Sequence, residues 1–361
     1  MSDIRHWIGL SMVHDIGPVT SRKLLASFGN PENIFKADTD SLMSVKGISR
    51  ERVENIRKFS QWDEVEKYIG IMENNAIVAV PYQDDCYPEV LKNIEDAPVV
   101  LYMKGKYHPD DRFAIGVVGS RKHTAYGEAV TQRIAGELSL AGFTVISGLA
   151  RGIDTLSHKS ALAAGGRTIA VLGSGPDVCY PAENRGLTER IASSGCVMSE
   201  FLPGTLPNKE NFPRRNRLIS GLSLGILVVE ATDNSGSLIT AGYALEQNKE
   251  VFAVPGNITS RNSEGTNKLI KQGAKIVLKT EDIIEELAPV LKGYIRIKQK
   301  ESAPLMGEEN RLCAMLSREP RHVDLISRES GLSVNQLLNL LLSLELKGIV
   351  KQASGKRFYI A

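Results

Sequence analysis

FAIGVVGSR (113–121) is an apolar, β-branched run that closes on glycine and then presents a serine and an arginine. Four further runs repeat the pattern: FTVISG (143–148), TIAVLG (168–173), LGILVVE (224–230) and EVFAVPG (250–256). Nearly unbroken apolar runs of this length are what strands buried on both faces of a parallel sheet look like. Helical stretches lie between them, among them YGEAVTQRIAGELSLAG (126–142), GSLITAGYALEQN (236–248) and GTNKLIKQGA (265–274). The alternation predicts an α/β domain over 66–288, a Rossmann-like, doubly wound, mostly parallel sheet.

In such a sheet the ligand lies outside the carboxyl ends of the strands, so the loops after the runs are where function is expected. The first loop is Gly119-Ser120-Arg121: close backbone approach, a hydroxyl and a planar fork for phosphate. The second is SGLARGID (147–154), in which Gly148, Arg151 and Gly152 precede a helix N-terminus; the fourth run leads to Ser235, Gly236 and Ser237, again opening a helix. One glycine loop alone also builds a plain turn. Three at one edge point to an anion or nucleotide site. NFPRRNRLISGLS (211–223) adds Phe212 with Arg214, Arg215, Asn216 and Arg217 at the start of a helix. An aromatic beside clustered cations suits an unpaired base and its backbone, and cations at a helix N-terminus oppose the macrodipole unless an anion lies between them.

Other chemistry is poorly supported. GVVGSR (116–121) and GSGPDV (173–178) both miss the GxGxxG dinucleotide fingerprint, and no GxxxxGK[ST] loop occurs, so no cofactor is expected. Asp154, His158, Asp177, Glu200 and Glu230 are the acid–base candidates for a rival reading as a nucleotide or nucleoside-phosphate hydrolase. Asp154 reads as a helix N-cap with His158 one turn later, equally a structural pair, and no nucleophile completes a catalytic set. Cys86, Cys179, Cys196 and Cys313 stand far apart without histidines at ligand spacing, which argues against a disulfide framework and a metal site.

The flanks differ in character. Residues 1–65 read as a small helical domain in which DIGPVTSRKLLASFG (15–29) and VKGISRERVENIRKF (45–59) resemble helix-hairpin-helix units. Gly17 and Gly47 would present N–H groups to phosphate there, or merely turn the chain within a packed bundle. Residues 289–308 lose periodicity and read as a linker, and 309–361 read as a winged helix with a turn at Gly331, a leucine-rich second helix and a hairpin about Ser354-Gly355. That helix has few charges, and only Lys351, Lys356 and Arg357 mark the wing, so it suits protein docking or accessory DNA contact.

The 361-residue chain has room for two or three domains. Its net charge of +2, from 44 basic and 42 acidic side chains, requires any nucleic-acid site to be a local patch. With no apolar run long enough to span a bilayer and no signal-like start, a soluble cytoplasmic protein is expected.

Taken together, GSR (119–121), SGLARGID with His158, GSGPDVCYP (173–181), NFPRRNRLISGLS, SGSLITA (235–241), VPG (254–256) and GTNKLIKQGA resemble the DprA/Smf family of bacterial DNA-processing proteins, in the family's order. DDCYPEVLKNIEDAPVVLYMKG (84–105) resembles its lead-in, and both flanks fit. The resemblance implies a non-enzymatic protein that protects incoming single-stranded DNA in natural transformation and loads the RecA recombinase, with single-strand-binding protein as a further partner and no membrane association. It also implies a homodimer joined near 265–280, with Arg121 gripping phosphate, Phe212 to Arg217 holding the strand, and the loops at 148–152 and 235–237 completing the pocket. Related Rossmann-like phosphoribohydrolases carry a PGGxGT signature, which is absent here.

Overall fold

The computed structural model describes residues 3–301, 308–317, 319–346, 350–353 and 355–360. The chain divides into two compact units, 1–287 and 288–361.

The first unit opens with helices α1 (Ile4–Met12), α2 (Pro18–Phe28), α3 (Pro31–Lys36), α4 (Thr39–Met43), α5 (Arg50–Arg57) and α6 (Trp62–Asn74). Their starts follow from local chemistry. Pro18 and Pro31 stand in the first turn of α2 and α3, and Asn30, Asp38 and Ser49 each accept a backbone N–H at a helix start. The boundary expected at residue 65 falls inside α6, because Val65 and Met72 carry its buried face onward. Trp7, Leu24, Ile34 and Ile56 share one core with Val99, Val100 and Tyr102, so the helices pack on the start of the sheet domain. Arg22 reinforces this by donating to the carbonyls of Ile94 and Glu95, at 2.8 Å each.

The sheet strands are β1 (Ile77–Pro81), β2 (Val100–Gly105), β3 (Ala114–Val118), β4 (Thr144–Ser147), β5 (Thr168–Leu172), β6 (Cys196–Ser199), β7 (Gly225–Val228), β8 (Glu250–Ala253) and β9 (Lys275–Ile276). Between them run α7 (Ala125–Leu140), α8 (Ile153–Ala163), α9 (Arg185–Ser194), α10 (Asn211–Leu222), α11 (Gly236–Glu246) and α12 (Arg261–Lys271), and α13 (Thr280–Glu301) follows β9. The order is β1-β2-β6-β5-β4-β3-β7-β8-β9. Neighbours from β6 to β9 are parallel, whereas β2 pairs antiparallel with both β1 and β6. The doubly wound, mostly parallel sheet is therefore present, and β3, β4, β5 and β7 are buried throughout. From β3 the chain winds outward through β4, β5 and β6, then returns to β7 on its other side. The topological switch point lies between β3 and β7, with Ile115 opposite both Val145 and Gly225.

The segment expected to be a linker is helical as far as Glu301, and 302–307 lie outside the described residues. Ile283, Leu287 and Leu291 recur at helical spacing and are buried, which sustains α13 through Pro289.

The second unit is a winged helix: α14 (Glu308–Met315), β10 (Arg321–His322), α15 (Val323–Ser330), α16 (Val334–Leu346), β11 (Val350–Ala353) and β12 (Arg357–Ile360). Gly331 caps α15 at φ 69° and turns the chain into α16. Leu337, Leu341 and Leu344 bury into the unit's own core with Leu312, Val323, Ile326 and Phe358, which accounts for much of the leucine content of α16. Strands β11 and β12 pair as the wing, while Ser354 at its expected tip lies outside the described residues. Among the described residues, no helix is long and apolar enough to cross a membrane.

Candidate nucleic-acid interface

The loops at the carboxyl ends of β3, β4, β5 and β7 converge because the backbone itself is packed there. Gly152 holds φ 77°, and a Cβ on it would stand 2.2 Å from the Ser120 carbonyl oxygen. A side chain at that position would push apart the β3 and β4 loops, which Ile153 N–H joins by donating to Ser120 at 3.1 Å. A Cβ on Gly148 would meet the Arg215 guanidinium at 2.6 Å. Arg215 enters from α10, is buried, and donates to the carbonyls of Gly148 at 2.6 Å and Val171 at 2.5 Å. Beside it Asp154 accepts from the N–H groups of Gly148 at 3.1 Å and Ala150 at 3.4 Å. Burial pulls Arg215 down to about 10, with Asp154 opposing the shift, and burial pushes the Asp154 carboxyl above the usual range, with Arg215 opposing it. Arg215 thus remains charged at neutral pH, a fixed cation beneath the loop ends.

Above it open two adjoining cavities. The first, about 40 Å³, is lined by Arg121, Gly148, Arg151, Tyr180, Phe212 and Arg215 among others. The second, about 570 Å³, lies at the switch point between β3 and β7 and is lined by Gly119, Ser120, Arg121, Phe212, Arg215, Asn216, Ser235, Gly236 and Ser237. Ligand sites commonly have volumes of several hundred Å³. Arg121, Phe212 and Arg215 border both cavities, and the Phe212 ring centre lies 5.4 Å from the Arg121 guanidinium carbon and 5.9 Å from that of Arg215. Arg151 lines the first cavity while paired in two parallel 2.9 Å bonds with Glu183.

The expected arginine cluster is only partly in this crevice. Successive residues of a helix point about 100° apart, so Arg214 and Arg217 leave Arg215 and turn together to another face. Arg217 is buried there, ion-paired with Glu200 and with Asp96. Arg214 lies over the Phe201 ring at 5.1 Å and is 3.9 Å from Glu200. Neither lines the crevice, and Arg217 is neutralised by its own carboxylates. Gly152 is likewise not on the lining; its part is to let the two loops meet.

The acid–base candidates are all held by other partners. Asp154 is not the N-cap of α8, a position taken by Gly152, and its carboxylate faces the β4 loop and Arg215. His158 is buried and bonds through Nδ1 to Thr168 Oγ1 at 2.7 Å; burial, aided by Arg215, lowers it to about 3, so the ring is neutral. Because the Thr168 hydroxyl donates to the Val145 carbonyl, it accepts from Nδ1–H, leaving Nε2 buried without a partner. Asp177 accepts from Gly204 N–H, Glu230 from Thr124 N–H at 2.9 Å, and Glu200 from Arg217.

Residues not singled out from the sequence also line the crevice: Lys122, Thr232, Asn234 and Asn262 at the switch point, and Tyr180 at the first cavity. Lys122 directly follows the GSR loop and Tyr180 stands in GSGPDVCYP, so both were within reach of a closer reading. Asn262, on α12, is far along the chain and is placed only by the fold, which bonds its side chain to the Lys122 carbonyl at 2.8 Å.

Fold and crevice define a Rossmann-like protein with a cationic switch-point cleft, carrying a helix-hairpin-helix module before it and a winged helix after it. The family model described as DNA recombination-mediator protein A matches residues 78–288, the DprA winged helix domain 298–356, and a SAM-like helix-hairpin-helix tandem 8–61. The chain belongs to the DprA/Smf family. It is 35% identical to Protein Smf of Synechocystis, covering 99% of this chain and 98% of the relative. It is 45% identical to DNA processing protein DprA of Streptococcus pneumoniae, covering 56% of this chain and 72% of the relative. Among solved structures, that of DNA processing protein A from Streptococcus pneumoniae aligns with a TM-score of 0.69 at 34% identity, covering 79% of this chain and 99% of that one. DNA processing protein A from Helicobacter pylori, described for its single-stranded DNA binding mode, aligns with a TM-score of 0.53 at 29% identity, covering 59% of this chain and 96% of that one.

Proposed function

We propose that this protein binds and protects single-stranded DNA in the crevice between β3 and β7 and loads the RecA recombinase onto it, as a homodimer in the cytoplasm. The observation that carries the binding is Phe212 set between the Arg121 and Arg215 guanidiniums at the switch point. It is supported by the Helicobacter pylori relative described for its single-stranded DNA binding mode. Cations with an aromatic side chain track a single strand and leave a paired, stacked duplex unread. In this role Arg121, Arg151 and Lys122 face phosphate, and Gly119, Ser120, Asn216, Ser235, Gly236 and Ser237 supply hydroxyl, amide and main-chain contacts. Arg215 supplies positive potential from below. The role is binding rather than catalysis, since the acid–base candidates are held by structural partners.

The loading step is supported by the family's description as recombination mediators. The dimer is supported by β9, an edge strand of the described sheet, with Ile276 exposed in it and Leu278 exposed just after it. The test is a titration of wild type and Arg121→Ala with single-stranded and duplex oligonucleotides across a salt series. Wild type should prefer the single strand, and Arg121→Ala should bind about tenfold more weakly with a salt slope smaller by about 0.7, the value of one phosphate contact on a single strand. Equal affinity for duplex, or an Arg121→Ala protein that binds like wild type, overturns the reading. RecA filament formation on strands coated with single-strand-binding protein tests loading: no acceleration by wild type refutes that step.

A further inference from the structure

The aromatic side chain that faces solvent at the crevice is Tyr180, not Phe212. The Phe212 ring is half-buried, within 6 Å of two guanidiniums, and its centre lies 6.0 Å from that of Tyr180, with the rings inclined at 31°. Phe212 borders both cavities, but its ring is only partly exposed and is engaged by the two guanidiniums beside it. Tyr180 is 46% exposed at the mouth of the first cavity. Tyr126 is the other strongly exposed tyrosine among the described residues, and its hydroxyl is tied to the Pro255 carbonyl at 2.9 Å. Beside Tyr180 the rim is apolar, with Pro181 and Pro207 on the lining and Leu206 65% exposed next to Pro207. Arg121 and Arg151 stand on the same lining. A flat apolar ring open to solvent, with cations at its edge, is the arrangement on which a base stacks while its phosphate is gripped.

We infer that Tyr180 is the stacking platform of this site: a base of the bound strand lies on its exposed face, outside the cavity, with the adjoining phosphate on Arg121 or Arg151. The inference rests on the proposed single-strand binding. Stacking there requires an unpaired base, so Tyr180 contributes to preference for single strands over duplex, whereas the arginines contribute affinity for any phosphodiester.

The test compares wild type, Tyr180→Phe, Tyr180→Leu and Tyr180→Ala as full chains, with an oligothymidylate and with the same strand made abasic throughout. Thermal melts check that all four fold. Tyr180→Phe should bind the oligothymidylate like wild type. Tyr180→Leu and Tyr180→Ala should lose about tenfold, the scale of one base–aromatic stack, with the salt slope unchanged. On the abasic strand all four should bind alike. Tyr180→Leu or Tyr180→Ala binding the oligothymidylate like wild type, or losing as much on the abasic strand, overturns the platform. If wild type itself does not bind single strands, or Arg121→Ala binds normally, the underlying functional reading fails instead, so the two failures are distinguishable.

Discussion

Replacing Arg215 by alanine is the most informative perturbation of the crevice, because its first effect falls on folding rather than on DNA. The guanidinium is buried near Asp154, whose charge it stabilises, and donates to the carbonyls of Gly148 and Val171. Without it a buried carboxylate keeps two backbone N–H donors but loses its counter-charge, and two carbonyls lose their donor. Removing one partner of a buried pair in direct contact costs about 3–5 kcal/mol, and Arg215 acts on Asp154 without such contact. Since Arg215 borders both cavities, water can reach the gap, and the expected loss is about 3 kcal/mol, the lower end of that range.

The loss should also depend on pH. Burial already raises the folded Asp154 carboxyl, and removing Arg215 raises it further. A carboxyl raised on folding takes up its proton more readily in the folded state, so stability falls as pH climbs from the unfolded value, about 4, through the folded one. The Arg215→Ala deficit is therefore greatest near pH 8 and should shrink as pH falls toward 5. Urea unfolding of the full chain, followed by the fluorescence of Trp7 and Trp62, reports the first unit, since Trp7 lies in a core that reaches into β2 and Trp62 packs against that core. Adding Asp154→Asn to Arg215→Ala should recover part of the loss. A deficit below about 1 kcal/mol, or one that is flat between pH 5 and pH 8, would refute the pairing.

Arg217→Leu should likewise lose about 3 kcal/mol by stranding Glu200, yet bind single-stranded DNA normally once folded, as titration at low temperature would show; weakened binding would return Arg217 to the interface. Glu183→Gln releases Arg151 from its bidentate pair and should tighten binding a few-fold at low salt, with the gain fading as salt rises. Leu278→Asp should shift the protein from dimer to monomer in sedimentation, and an unchanged dimer would place the interface elsewhere.

The sequence by itself determined the layers of this protein. Unbroken apolar runs such as AIGVV (114–118) can be satisfied only as strands covered on both faces, and the glycine-rich ends of those runs mark the edge where backbone packs against backbone. Helical spacing separates Arg215 from Arg214 and Arg217 but does not say which face meets the crevice, and so the three read as one cluster although only Arg215 reaches it. Nor does spacing carry long-range juxtaposition: Asp154 against Arg215, Asn262 against Lys122 and Tyr180 against Phe212 are set by strand order. The antiparallel β1 was missed because its run is partly exposed, whereas nothing in the burial of β2 and β6, also missed, sets them apart from the strands that were read. The helical course of 289–301 escaped a reading by composition because it continues a helix begun at Thr280, whose buried stripe of Ile283, Leu287 and Leu291 runs across the expected boundary. Local pattern fixed which segments fold and which ends carry chemistry. The order in which the strands lie side by side decided which side chains meet, since that order is selected by packing across the whole sheet.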